Sequence, residues 1–333
     1  MLISYLDSFL FNCFTLSREI FYGNPKLIDL TRRVDDLAKP LPSAAIGKFR
    51  GIVKKLKKNI AVGASKKGTV LLDKDYWMEA LGMKLVIDGK IIQGHIYTGF
   101  LANQDKLLEK WRTGLDEKGV PFQKQYSFET YLNEIYIPQL SLQQREDFKS
   151  KVTLVEYYTP RELTALEAHF DHMGKIFTKN PFLNAWVDHQ SRNLENKGSS
   201  YRDFYRTVPP SNTQEASEKH VLRDQTYIYV QDHQGRVYLQ IKKRGITNHT
   251  SLSNGHAVLA AGSLKVEKGN IVEIDTFSGH YKPTKEQLAA FLVFLGKSGV
   301  DLDRIKVTYV ADYSVQPWDI RTLKAGEVRS WLG

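Results

Sequence analysis

Alternation of apolar and polar positions is most regular in the last third of the chain. YIYV (227–230) and VYLQIK (237–242) flank Asp232–Gly235, and VLAAGSLKV (258–266) and IVEI (271–274) flank Lys268-Gly269-Asn270. A period of two interrupted by Gly-, Asp- and Asn-bearing turns predicts two antiparallel hairpins. Pro283-Thr284 then opens a helix, with Thr284 as N-cap and Gln287 at the capping-box position. Its stripe is Leu288, Phe291, Leu292 and Leu295, Gly299 ends it, and a last strand IKVTYV (305–310) follows. The predicted class is α+β, with a mainly antiparallel sheet, hairpins and a packed C-terminal helix.

Upstream the signals are shorter. From Asp73 to Leu115 the spacing is helical around Trp77 and Trp111, interrupted by an extended stretch at Lys84–Gln93 that turns at Asp88-Gly89. Thr159-Pro160 starts a helix, and LEAHF and KIF then alternate across an Asp171–Gly174 turn. Residues 191–219 read as a polar, turn-rich linker or insertion. The first 42 residues read as helical, with one pair of helices broken at Gly23-Asn24-Pro25. The opening apolar run carries Asp7 and has no basic flank or small-residue cleavage site, so an amphipathic helix is expected there and not a signal peptide. The organisation expected is a helical region 1–42, a basic segment 43–68 and an α+β domain 69–333.

Charge changes this picture more than composition does. The 333 residues carry a formal net charge of +10, yet residues 1–70 hold 13 Lys/Arg against 5 Asp/Glu, a net of +8. Residues 43–68 alone hold 8 basic residues and no acid. The body is near neutral, which argues against a generally basic nucleic-acid binder. The one cysteine, Cys13, excludes an intrachain disulfide framework and a multi-thiolate metal site. With no secretory signal either, a cytoplasmic working environment is expected, and delivery into a host cell without a cleavable signal is compatible with it.

Within the basic segment, Ile46, Phe49, Val53, Leu56 and Ile60 recur at steps of three and four, surrounded by Lys48, Arg50, Lys54, Lys55, Lys57 and Lys58. Phe49, Val53, Leu56 and Val62 stand at relative positions one, five, eight and fourteen. That spacing suits an acidic, Met-rich, two-lobed clamp such as calmodulin. The alternatives are a solvated surface helix covering the core, or attraction to an anionic membrane surface. Aromatic interleaving and base-reading motifs are lacking, which disfavours nucleic acid.

For chemistry, HExxH, CxxC, EF-hand, GxGxxG, P-loop and GxSxG patterns are all missing, and no structural metal is expected. The pair His169 and His172 falls at a hairpin turn. What remains is Lys242, Lys243 and Arg244, then Asn248, His249 and Ser251, then Ser278, Gly279, His280, Tyr281 and Lys282, just ahead of the capped helix. A helix N-terminus beside glycine and several cations can hold a phosphate-bearing ligand such as ATP or another nucleotide. Ser251 and His280 could then serve as hydroxyl and general base. The structural alternative is that Ser278 and His280 tie down a strand-to-helix turn. The HxxxE signature of AMP-transferring bacterial effectors is not met, since His280 is followed by Thr284 four residues on and Glu286 six on.

The stretch GITNHTSLSNGHAVLAAGSLKVEKGNIVEIDTFSGHYKPTKEQLAAFLVFLGKSGVDLDRIKV resembles the signature region of the plant IQ-motif calmodulin-binding family, IQM, and its fungal and bacterial relatives. SGHYKP within AAG…SGHY…VDL is the specific part of the likeness. GASKKGTVLLDKDYWMEAL (63–81) and YYTPREL (157–163) resemble family segments more weakly. The resemblance implies calmodulin binding through a helix ahead of the domain, which here is the segment 44–62. Arg50-Gly51-Ile52-Val53-Lys54-Lys55 matches the second half of an IQ motif, while Ala45-Ile46 stands where Ile-Gln would be. The expected function is calmodulin-responsive regulation, or an effector role in eukaryotic cytosol. The competing expectation is a calmodulin- or host-factor-activated transferase of nucleotidyl or ADP-ribosyl type using Ser251 and His280.

Overall fold

The computed structural model describes residues 82–103, 106–192, 200–207 and 219–332 except 314 and 316, together with Tyr76, Glu79 and Ala80. The helical region 1–42 and the basic segment 43–68, with Phe49, Arg50, Val53, Lys54, Lys55, Leu56 and Val62, lie outside the described residues. The described residues fall in two compact units that divide between Val155 and Glu156.

The first unit opens with the expected hairpin, β1 (Met83–Ile87) and β2 (Lys90–Gly94). Met83, Leu85 and Ile87 face inward on alternate positions. Asp88 (φ 49°) and Gly89 (φ 75°) supply the two left-handed residues that a tight hairpin turn demands. Helices α1 (Thr98–Asn103), α2 (Leu107–Thr113) and α3 (Phe122–Gln125) follow. Next comes a helical run, α4, made of Phe128–Thr130, a π-helical turn Tyr131–Tyr136 and Ile137–Gln139. Helix α5 (Leu142–Lys151) closes the unit, started by a Ser141/Gln144 capping box. Leu85, Ile87, Ile96, Leu101, Leu107, Leu132 and Phe148 belong to its core. The outward edge of β1 is closed by a side chain: Asn133 Nδ2 donates to Lys84 O (2.8 Å) and Asn133 Oδ1 accepts from Val86 N (2.9 Å).

The second unit begins with α6 (Pro160–Thr164), whose Thr159/Glu162 capping box is the predicted helix start. Its strands are β3 (Glu167–Phe170), β4 (Ile176–Thr178), β5 (His220–Val221), β6 (Gln225–Gln231), β7 (Val237–Gln240), β8 (Ala260–Glu267), β9 (Asn270–Asp275), β10 (Lys306–Asp312) and β11 (Asp319–Leu323). They form one nine-stranded sheet in the order β11-β10-β9-β8-β6-β7-β3-β4-β5. Every neighbouring pair is antiparallel except β9 and β10, which run parallel across the crossover through α10 (Lys285–Lys297). The predicted α+β class with a mainly antiparallel sheet is therefore observed. The stripe Leu288, Phe291, Leu292 and Leu295 is buried, with Phe291 stacked on Tyr229 at 4.6 Å.

Three features differ from the sequence expectation. VYLQIK is strand only to Gln240, because the chain leaves the sheet at Ile241. Beyond the predicted last strand, β11 pairs with β10, and a short helix α11 (Val328–Leu332) follows. Inside 191–219, read as polar linker, Tyr201–Thr207 forms helix α8. It is held by aromatic packing: Tyr201 is buried and lies 4.4 Å from Tyr158 and 5.5 Å from Phe182 of helix α7 (Phe182–Arg192). Among the described residues no helix is long and apolar enough to cross a membrane.

Candidate functional site

The predicted site residues lie on the connection from β7 to β8 and on the loop between β9 and α10. After β7 the chain closes a tight loop, with Thr247 N donating to Lys243 O (2.7 Å) and Gly245 in the left-handed region (φ 81°). Asn248 is extended and caps the short helix α9 (His249–Ser253). Ser251 is fully buried; its Oγ accepts from Asn248 N (3.0 Å) and donates to Ile246 O (3.5 Å). The hydroxyl expected as a nucleophile thus holds the start of its own helix.

His249 points from the first position of α9 to β8, where Nε2 meets Gly262 O at 2.8 Å. A carbonyl only accepts, so the proton sits on Nε2 and Nδ1 is left as an acceptor. Burial pushes the imidazole down to about 3, aided by the neighbouring Lys242 and opposed by the Gly262 bond. His249 is neutral at any physiological pH. Gly262 is required there by space: a Cβ would lie 1.8 Å from Asp275 O. The Asp275 carboxylate accepts from Ser263 N and Phe277 N, both at 2.8 Å. Burial raises its pKa, against these bonds and Lys242.

From Asp275 the loop runs inward. Thr276 is buried, and its Oγ1 accepts from Val310 N (3.1 Å) while its carbonyl accepts from Tyr313 OH (3.1 Å). Ser278 Oγ accepts from Tyr281 N (3.3 Å), and Lys282 N donates to Ser278 O (2.9 Å) with Lys282 left-handed at φ 46°. Buried Tyr281 donates to His256 O (2.8 Å) and makes a short contact with Ser253 Oγ. Gly279 is half-buried and His280 buried between these anchors. Thr284 and Gln287 then cap α10 reciprocally, so part of its first-turn donor set is satisfied within the chain.

The cations divide. Lys242 acts on His249 and Asp275, whereas Lys243 is partly desolvated and feels the carboxylate of Glu156. Arg244 is exposed. Lys242, His249 and Asp275 are thereby linked electrostatically, and the Ser251 bonds run to the 246–248 backbone instead. Sequence reasoning passed over Asp275 and a second buried polar group at Glu156, Tyr158 and Thr247. Tyr158 OH lies 3.1 Å from Thr247 Oγ1 and 3.5 Å from Glu156 Oε2, and burial raises both Tyr158 and Glu156. The polar ends of VEYY and IVEID were the only trace of them in the sequence. Asn248 Nδ2 is a buried donor with no acceptor among the described residues. No group of three or more His, Cys, Asp or Glu side chains among those residues could hold a metal ion.

Comparison with known proteins bears on this same region. Residues 211–288 match the family described as the IQ motif-containing protein middle domain. The chain is 38% identical over 81 residues to the IQ domain-containing protein IQM3 of Arabidopsis thaliana, which covers 24% of this chain and 18% of the relative. It is also 38% identical over 82 residues to IQM2, covering 25% of this chain and 14% of the relative. To IQM4 it is 33% identical over 174 residues, covering 46% of this chain and 32% of the relative. All three relatives are from that plant, and the chain spans about a third of their length or less. No solved structure matches. All the loops just described, from Lys242 to Lys282, lie in the stretch that matches the IQ motif-containing protein middle domain.

Proposed function

We propose that this chain is a calmodulin-binding protein that uses the basic segment 43–64 as its target helix and acts in eukaryotic cytosol, in a regulatory or effector role. The observation that carries the reading is the segment itself: anchors at Phe49, Val53, Leu56 and Val62 on a helical face, flanked by Arg50, Lys54 and Lys55, with no acid in 43–68. The likeness of 211–288 to a middle domain of IQ motif-containing proteins supports it. The missing Ile-Gln pair at Ala45-Ile46 makes Ca²⁺-loaded calmodulin the expected form. The full chain and a 43–64 peptide should both bind calmodulin in a Ca²⁺-dependent manner. Phe49→Ala or Leu56→Ala should weaken the complex by about 1–3 kcal/mol, the loss of one buried anchor. No binding by either molecule, with or without Ca²⁺, would refute the reading, and preferential capture by anionic vesicles would reassign the segment to a membrane surface.

A second reading concerns the middle domain: a phosphate-bearing ligand, ATP or another nucleotide, handled by transfer chemistry with Ser251 and His280. Its support is the buried Asn248 Nδ2 without an acceptor, on the loop that also carries Lys242 and Lys243. Labelled ATP and NAD, incubated with the chain and calmodulin, provide the test. Label transfer that survives both Ser251→Ala and His280→Ala would remove these residues from the mechanism.

A further inference from the structure

Away from these loops, a cleft of about 320 Å³ opens between β3, the β6–β7 turn and the C-terminal end of α10, lined by Glu167, His169, Phe170, Arg236, Phe294 and Ser298 among others. Its volume sits at the lower end of small-ligand sites. The apolar part is an aromatic pair, Phe170 and Phe294, edge-to-face at 6.0 Å. The rim carries a carboxylate that has no Lys or Arg within ion-pair distance among the described residues. Glu167 Oε1 lies 4.0 Å from His169 Nε2, and both side chains are about three-quarters buried.

The guanidinium nearby is already committed. Arg236, the guanidinium on the rim, is held by Asp232 at 2.7 and 2.8 Å and lies over the Tyr238 ring. His169 is kept neutral, since burial and the nearby Lys179 both oppose its protonation. Burial raises Glu167, with Arg236 and Lys179 pulling it back down and Asp232 adding to the rise. Ser298 is the C-cap of the 13-residue α10, so the cleft also meets the negative end of that helix. An unpaired carboxylate, a helix C-terminus and aromatic faces all favour one kind of guest, a cation with an apolar body.

We infer that the cleft between β3 and the end of α10 binds a small organic ammonium ion, its charge on Glu167 and its apolar body against Phe170 and Phe294. The inference stands independently of the calmodulin reading, because it uses neither the basic segment nor the loops at 242–282. Isothermal titration of the full chain with 2-phenylethylammonium should show saturable binding with a dissociation constant of about 1 mM or tighter. Glu167→Gln should weaken it at least about tenfold, and Phe294→Leu should weaken it with the fold unchanged by circular dichroism. The neutral analogue 2-phenylethanol and the anionic 3-phenylpropionate should bind more weakly than the amine. No saturable binding of the amine, equal binding by the Glu167→Gln chain, or tighter binding of either analogue would overturn the assignment.

Discussion

Replacing Gly262 by alanine tests whether the middle-domain signature is held together by close backbone approach. Gly262 pairs with Tyr229 across β6 and β8, and its Cβ position lies 1.8 Å from Asp275 O, 2.8 Å from Asp275 C and 3.1 Å from Thr276 Cα. All three atoms are backbone, so no side-chain rotation relieves the overlap, and β8 must part from the end of β9. Overpacking of this kind costs about 1–3 kcal/mol. The same shift lengthens the bond from Ser263 N to the Asp275 carboxylate, worth about 1.5–3 kcal/mol as a bond to a charged group. Alanine also restricts the unfolded chain, returning about 0.4–1 kcal/mol. The net expectation is a loss of about 2–5 kcal/mol. Hydrogen exchange in peptides covering 225–231 and 260–275 should accelerate at least about 30-fold, the equivalent of 2 kcal/mol. A variant whose urea midpoint and exchange protection match the wild type within about 0.5 kcal/mol would refute the account of why glycine stands there.

Other expectations follow from named contacts. Because His249 is held near 3 while an unfolded histidine titrates near 6.5, the unfolded chain takes up a proton that the folded one refuses, so His249 contributes stability above pH 6.5 that is lost as pH falls toward 3. From this residue alone the loss between pH 7 and pH 5 is about 2 kcal/mol, and a His249→Gln chain should show a flatter urea-midpoint profile over that interval. Asn133→Ala should cost about 1–3 kcal/mol by leaving Lys84 O and Val86 N without the carboxamide, read as faster exchange of the Val86 amide. Arg202→Ala removes the bond to Glu162 at 2.8 Å and the contact with Tyr157 O that dock α8, and trypsin should then cleave near 201–207 faster than in the wild type.

The hairpins and α10 were legible because their signals are local: alternation, left-handed turn residues and a capping box all lie within about ten residues of one another. Thr284, Gln287 and the four stripe residues behave as their spacing demands. Helix α8 was hidden because its reason to exist is distant: Tyr201 finds Tyr158, Phe182 and Trp186, none of them a sequence neighbour. Strand β11 was hidden because its outward residues are polar on a sheet edge. In the candidate site, residue types singled out two loops but not the contacts their side chains make. Ser251 and Ser278 are short polar side chains next to turns, where local backbone bonds compete with any chemical role. The division of Lys242 and Lys243 between Asp275 and Glu156 depends on strand pairing far along the chain.

One more side chain repeats what Asn133 does at β1. Asn184 on α7 donates from Nδ2 to Val221 O (2.8 Å) at the end of β5 and accepts on Oδ1 from Arg223 N (3.1 Å) two residues on. A carboxamide is a peptide group without a chain behind it, so the nine-stranded sheet terminates here in a one-residue imitation of a tenth strand. Among the described residues β11 pairs with β10 alone, whereas at β5 a guest strand must first evict Asn184.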